Sequence, residues 1–200
     1  MTSKNLVGTA LAALTAGVVL AGCGGSDSGS HGTTHTTTTT AGTTASASTE
    51  RNDADIAFAQ GMVPHHEGAI EMSGLARGRT TNPKVLDLAA RIERAQDPEI
   101  KTMTAWLTAW GAAPTGEHDG HGTSMPGMMS HEEMEKLKQA KDADFDKLFL
   151  EGMVKHHQGA IDMANTELRQ GVNAEAKKLA QQIIEAQQKE IDEMNALLRG

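Results

Sequence analysis

An internal duplication at a constant spacing of 91 residues limits this chain to folds that two similar halves can form. Segment 58–73 has the sequence FAQGMVPHHEGAIEMS, and segment 149–164 has the sequence FLEGMVKHHQGAIDMA. Ten of these sixteen positions are identical, and further matches at the same spacing continue without a gap as far as Leu107 and Leu198. A match of this length indicates two copies of one structural unit.

Each copy has the apolar spacing of two helices. In the first copy, apolar residues recur at helical intervals from Leu88 to Leu107, and Asn82 followed by Pro83 is typical of a helix start. In the second copy, segment 130–133 (SHEE) is a capping box, and Gly171 and Asn173 suit the end of one helix and the start of the next. The predicted helices are 53–78, 83–110, 130–170 and 173–199.

Two prolines make the halves unequal. Pro64 and Pro98 lie inside the first two predicted helices, where each removes a backbone hydrogen bond and should kink the helix or mark a boundary. Lys155 and Lys189 occupy the matching positions of the second copy. We therefore expect a duplicated fold whose symmetry is not perfect.

The fold class follows from the helical pattern and from the low aromatic content. Aromatic residues make up only 2% of the chain, so Ala, Leu, Ile and Met must fill the core. No alternating pattern typical of strands occurs. We predict an all-α fold, a four-helix bundle made of two helical hairpins over about 53–110 and 130–200, joined by a Met- and His-rich loop.

The N-terminal segment predicts export and lipid anchoring. Leu6 to Leu20 is apolar but too short to span a bilayer comfortably, and it leads to Leu20-Ala21-Gly22-Cys23, which resembles a bacterial lipobox. We predict a signal peptide over 1–22, lipid on Cys23, and a flexible Gly/Ser/Thr tether over 23–50. Residues 51–200 then form the folded domain, outside the cytoplasm and attached to the membrane or envelope.

The charge balance narrows the choice of partners. The formal net charge is -8, and no basic stripe is present. An acidic domain of this kind argues against nucleic acid as a partner and is compatible with cations. Because lipid would occupy the sulfur of Cys23, the chain's only cysteine, any soft metal ligand must be methionine.

Methionine, histidine and glutamate recur at matched positions of the two copies and are candidate metal ligands. The chain has Met-x-x-His three times and never the Glu-x-x-His motif of di-iron bundles. Thioether and imidazole donors together favour copper, especially Cu(I), over a hard ion. The candidates on the helices are Met62, His65, His66, Met72, Glu99, Met103, Met153, His156, His157, Met163, Glu190 and Met194.

The connection between the halves adds further soft donors. Its Gly and Pro content indicates a loop, so its methionines are not core residues. Ordering each loop residue costs about 1–2 kcal/mol, which predicts a weaker copper site here than on the rigid helices. The loop candidates are His118, His121, Met125, Met128, Met129 and His131.

Two other interpretations remain open. Methionine on a helix is commonly core packing, and adjacent histidines could fill a polar seam, in which case the domain is a helical interaction module without metal. A metal-dependent redox enzyme on a ferritin-like scaffold is the other alternative, although no nucleophile–base pair, phosphate loop or Cys/His zinc pattern identifies a catalytic residue. Stoichiometric copper binding, redox turnover or no metal retention distinguishes the three.

The duplicated motif also resembles a known family. Phe58 to Ser73, its copy Phe149 to Ala164, and the later pattern from Ala89 to Met103 with its own copy are similar to the bacterial domain-of-unknown-function family three hundred and five. The resemblance covers about residues 51–200. It implies a ferritin-like helical bundle of the cell envelope that binds copper.

Overall fold

A computed structural model of the protein describes residues 50–113 and 125–200. Over these two ranges the chain forms five α-helices and no strand, so the predicted all-α fold is confirmed. The helices are α1 (Asp53–Leu75), α2 (Pro83–Trp110), α3 (His131–Gln139), α4 (Asp142–Gln170) and α5 (Ala174–Arg199), and a 3₁₀ turn over Ala76–Gly78 follows α1.

The predicted helix starts are confirmed by their hydrogen bonds. The side chains of Asn82 and Asn173 accept backbone N–H groups of the first turns of α2 and α5. Ser130 and Glu133 form the predicted capping box at the start of α3. Each cap satisfies backbone donors that have no partner within the helix.

The prediction of one long helix over 130–170 is wrong, because the chain is extended at Ala140 and Lys141. Asp142 then has a positive φ of 49°, and its N–H donates to the carbonyl oxygen of Arg79 at 2.6 Å. The Asp142 N–H thus bonds to the turn between α1 and α2, and not to a carbonyl oxygen of the residues just before it in the chain. The segment therefore divides into the short α3, which contacts α4, and α4 itself.

Neither Pro64 nor Pro98 marks a helix boundary, since α1 and α2 continue through them. The predicted first helix, 53–78, ends as an α-helix at Leu75 and finishes as the 3₁₀ turn. The second and fourth predicted helices agree with α2 and α5 to within one residue at each end.

The two hairpins, α1 with α2 and α4 with α5, pack against each other through α1 and α4. One apolar cluster joins the C-terminal part of α1 to the N-terminal part of α4, around Met72, Phe145 and Met153. A second joins the opposite ends of the same helices, around Phe58, Met62 and Ala160. The helices α1 and α4 are therefore antiparallel, with a short stretch of each lying between the clusters.

Matched aspartates link each half to the other. Asp55, in the first turn of α1, accepts the backbone N–H groups of Val172 at 3.1 Å and Asn173 at 2.9 Å, just before α5. Its counterpart Asp146 in α4 accepts the side-chain amide of Asn82, the residue that caps α2, at 2.8 Å. Each first helix thus fixes the start of the other half's second helix.

Asp55 also lies beside the buried carboxyl group of Glu167 in α4, and both residues are buried. Burial and, to a smaller extent, the adjacent Asp55 together raise the pKa of Glu167 to about 8. Burial opposes ionisation of Asp55 too, but hydrogen bonds from Asn52, Asn173, Glu167 and Val172 outweigh it and lower its pKa. At neutral pH the protonated Glu167 donates to the Asp55 carboxylate.

Candidate metal centre

A layer of four histidines occupies the stretch between the two apolar clusters. His65 and His66 come from α1 and His156 and His157 from α4, and each is at most 1% exposed. Successive residues of a helix point about 100° apart. One histidine of each pair therefore meets the opposite first helix, while the other meets the second helix of its own half.

The outer histidines form two equivalent pairs with glutamate. His66 Nε2 lies 2.7 Å from Glu99 Oε2, and His157 Nε2 lies 2.7 Å from Glu190 Oε2. A carboxylate can only accept, so the hydrogen of each pair is on Nε2, and in the tautomer with that hydrogen Nδ1 carries the lone pair. Nδ1 of each ring is buried without a hydrogen-bond partner. Metal-binding histidines are oriented in this way by a carboxylate on the other ring nitrogen.

The inner histidines contact each other where the two halves meet. The ring centroids of His65 and His156 are 3.8 Å apart, with the planes tilted by 44°. Burial lowers the pKa of His65 to about 4 and that of His156 to about 2, with further contributions from the neighbouring histidines. Both rings are neutral at pH 7, so a metal ion could bind them without displacing a proton.

The end of the connection, residues 125–129, covers this layer and makes different contacts with the two inner histidines. His65 Nε2 donates to the carbonyl oxygen of Pro126 at 3.0 Å. Neither nitrogen of His156 has a hydrogen-bond partner. A Cβ on Gly68 would lie 2.9 Å from Met128 Cε and 3.5 Å from His156 Nε2, so the Met128 thioether is close to that ring.

Glycines of α4 and the connection make this contact possible. A Cβ on Gly159 would lie 1.9 Å from the Pro126 carbonyl oxygen, and one on Gly127 would lie 2.3 Å from the Lys155 carbonyl oxygen. Gly127 also has a φ of 80°, which favours glycine. The backbone of the connection therefore lies directly on α4, closer than any side chain would permit.

The helical methionines flank the histidine layer inside the apolar clusters. Met62 and Met103 are buried in one cluster, and Met72, Met153 and Met194 are buried in the other. Met163 is only partly buried, and its sulfur would lie 3.5 Å from a Cβ on Gly61. These positions agree with core packing as well as with ligation, since a thioether can serve both purposes.

The remaining predicted residues have mixed placements. His131 begins α3 at an exposed position, and Met125 and Met129 lie in the described part of the connection. The candidates His118 and His121, and the lipidation candidate Cys23, fall outside the described residues. Within residues 50–113 and 125–200, no three His, Cys, Asp or Glu side chains are grouped so that they could hold a metal.

Three further residues belong to this region and were not among the candidates. Gln96 and Gln187 are buried at matched positions one turn before the glutamates, and their amide groups leave buried atoms without partners. Their recurrence at the 91-residue spacing was the signal for them. Met134 of α3 lies near Met128 and His156 around a common cavity, and no sequence pattern indicated it.

The described helices include none that is both long and apolar enough to cross a bilayer. A family model described as "Domain of unknown function (DUF305)" matches residues 55–198. Among curated proteins, the uncharacterized protein L153 of Acanthamoeba polyphaga mimivirus is 43% identical over 53 residues, which are 26% of this chain. The match spans 35% of that protein's length.

Solved structures give longer matches. A DUF305 protein of Streptomyces coelicolor is 33% identical with a TM-score of 0.68, over 73% of this chain and 91% of that one. A DUF305 fragment from Deinococcus radiodurans is 30% identical with a TM-score of 0.68, over 74% and 96%. CopM in its Cu(II)-bound form is 34% identical with a TM-score of 0.62, over 72% and 95%.

Proposed function

This chain belongs to the DUF305 family, and from that premise we propose that it is a lipid-anchored envelope protein that binds copper through His and Met side chains. It buffers or sequesters copper at the membrane surface and so contributes to copper tolerance. CopM, which is 31–34% identical to this chain, has been solved with Cu(I), with Cu(II) and with silver. Those ions are bound by CopM, and the residues of this chain supply the independent support.

The observation that carries the proposal is the state of His156. Its ring is buried, neutral, without a partner at either nitrogen, and close to the Met128 thioether. Burying a polar group without a hydrogen bond destabilises the fold, by about 1–3 kcal/mol in mutational data. A bound metal ion would satisfy this ring, as it would the free Nδ1 atoms of the outer histidines.

The donors present match copper in charge and softness. Neutral imidazole and thioether groups favour Cu(I), and a thioether needs no deprotonation to bind it. Glu99 and Glu190 would orient His66 and His157 and compensate part of the ion's charge. The ligands that we propose on the helices are the ten methionines and histidines predicted there, with Glu99 and Glu190 as orienting partners, and Met128 and Met129 of the connection add donors beside His156.

Metal analysis of the purified full chain tests the proposal. The protein should carry Cys23→Ser, which removes its only thiol, and be exposed in parallel to Cu(I) under reducing conditions and to Zn(II). We expect stoichiometric copper to remain after desalting and zinc to be lost, because thioethers bind zinc poorly.

The same samples separate the alternatives. Absence of retained copper would refute the proposal and leave a helical interaction module. Oxidation of Cu(I) faster than in a protein-free blank would instead support a redox enzyme.

Anchoring makes a separate prediction. Cys23 follows the segment Leu20-Ala21-Gly22, so we expect Cys23→Ser to leave the protein unprocessed or to release it from the membrane fraction of its host. Membrane attachment of a lipoprotein comes from acyl chains buried in the bilayer, so a protein without lipid on Cys23 should lose this attachment. Fractionation and immunoblotting measure the outcome, with Ser26→Ala as a control just beyond the lipobox. Normal processing of the Cys23→Ser protein together with unchanged membrane retention would contradict lipid anchoring.

A further inference from the structure

A cavity of about 240 Å³ opens between α1, α3, α4 and the connection, and its walls are rich in sulfur. Thioethers come from α1, α3 and the connection, together with one buried imidazole from α4 and one exposed imidazole from α3. The residues with soft donors are Met72, Met128, Met129, Met134, His131 and His156. A surface cavity with so many methionines is unusual, because methionine in cores is normally enclosed by apolar atoms.

The cavity offers neutral donors almost exclusively. His156 contributes a ring whose nitrogens have no hydrogen-bond partner. The nearby carboxylate of Glu71 is in an ion pair with Lys138 at 3.2 Å. A divalent ion would therefore keep most of its charge uncompensated here, whereas a soft monovalent ion would not.

The Met128 thioether lies beside the inner histidine of one half only, and in the other half the Pro126 carbonyl takes its place. Gly68 and Gly159 are equivalent at the 91-residue spacing. The connection places the Met128 thioether against Gly68 and the Pro126 carbonyl against Gly159. His65, equivalent to His156, is consequently bonded to that carbonyl at 3.0 Å.

Depth also distinguishes the cavity from the other helical donors. Met128, Met129 and Met134 of the cavity are partly exposed, while Met72 is buried and lines the cavity from α1, its methyl carbon 3.3 Å from where a Cβ on Gly152 would lie. Met62 and Met103 are fully buried in the opposite apolar cluster. An ion arriving from solvent therefore meets the cavity before it meets those interior donors.

We propose that this cavity is the entry site of the protein, which the first soft monovalent ion, Cu(I) or Ag(I), occupies through His156 and the thioethers of Met72, Met128, Met129 and Met134. The inference rests on the proposed copper-binding function and deepens it. It assigns one first-filled site per chain rather than two equivalent ones. It also makes Met134 of α3 a ligand.

The test uses the full chain with Cys23→Ser and with ¹³C-labelled methionine methyl groups, titrated with Ag(I), which has the charge and softness of Cu(I) and resists oxidation in air. We expect the methyl signals of Met72, Met128, Met129 and Met134 to shift first. Met128→Leu/Met129→Leu, which conserves volume, should weaken the first equivalent by about tenfold or more in a competition titration. Leu168→Ile/Ile184→Leu, which changes only apolar packing, should leave it unchanged.

The outcomes separate this inference from the proposed function. If the methyl signals of Met62 or Met103 shift first and Met128→Leu/Met129→Leu binds normally, the entry site is refuted while metal binding stands. If no silver is retained at all, both are refuted. Equal shifts of the cavity methyl signals with Zn(II) would overturn the assignment to a monovalent ion.

Discussion

Replacing His65, His66, His156 and His157 with Ala is expected to abolish tight Cu(I) binding. The four rings form one buried layer, and each has at least one nitrogen without a hydrogen-bond partner. Donors fixed on packed helices bind a metal with little further ordering. Loss of a ligand's supporting partner alone costs about 10- to 100-fold in affinity, so loss of the ligands themselves should exceed that.

A competition titration against a Cu(I) chelator measures the effect, and His118→Ala/His121→Ala is the matched control. That control removes two histidines of the predicted loop, at positions outside the described residues. We expect it to keep the tight site. If the four-histidine variant keeps wild-type affinity while the control loses it, the helical histidines are structural.

A graded variant avoids emptying the buried layer. Glu99→Gln/Glu190→Gln keeps a hydrogen-bond acceptor for Nε2 of both outer histidines and removes the charge. We expect Cu(I) affinity to fall by about 10- to 100-fold, with the circular dichroism spectrum unchanged. Native affinity in this variant would show that the carboxylates do not tune the outer histidines.

Glu167→Gln is expected to remove most of the decline in folding stability that we expect of the wild-type protein as the pH rises through about 8. Glu167 has its pKa raised to about 8 in the folded protein, from an ordinary value of 4.5, first by burial and then by Asp55. The folded state therefore holds a proton that the unfolded state releases between these values. Stability is complete below about pH 4.5 and declines as the pH rises through about 8.

At about 1.4 kcal/mol per pKa unit the full shift corresponds to about 5 kcal/mol; because solvent screening reduces the effect, we expect a loss on the order of 3 kcal/mol in the wild type between about pH 5 and pH 9. Urea unfolding at a series of pH values measures it. Gln cannot ionise, so its curve should be nearly flat over that range. Glu185→Gln, at an exposed position of α5, is the control and should follow the wild type. A wild-type curve that rises towards pH 9 would contradict a shared proton at Asp55.

Local sequence signals predicted most of the helices. Caps at Asn82, Ser130 and Asn173 are short-range devices, so their positions could be identified without the fold. The break at Ala140 could not, because it depends on a hydrogen bond from Asp142 to Arg79, which lies more than 60 positions earlier in the sequence. Capping rules carry no information about such a contact.

The candidate site shows the same division. The 91-residue repeat identified both histidine pairs and their glutamates, and the equal 2.7 Å distances agree with that symmetry. The sequence predicted a loop site separate from the helical one. The structure instead brings Met128 to His156, because Gly68 leaves room for the thioether. Tertiary contacts at small residues therefore decide which donors the connection adds to a helical site.

Only one connection crosses the histidine layer, which distinguishes this chain from a dimer of two separate halves. Two free copies of one half, assembled as a homodimer, would present two identical connections to the same twofold axis. The Pro126 carbonyl and the Met128 thioether lie against equivalent glycines on either side of that axis, so one connection fills the room for both. In the single chain the two inner histidines therefore have different surroundings, one held by a backbone carbonyl and the other left beside a sulfur atom.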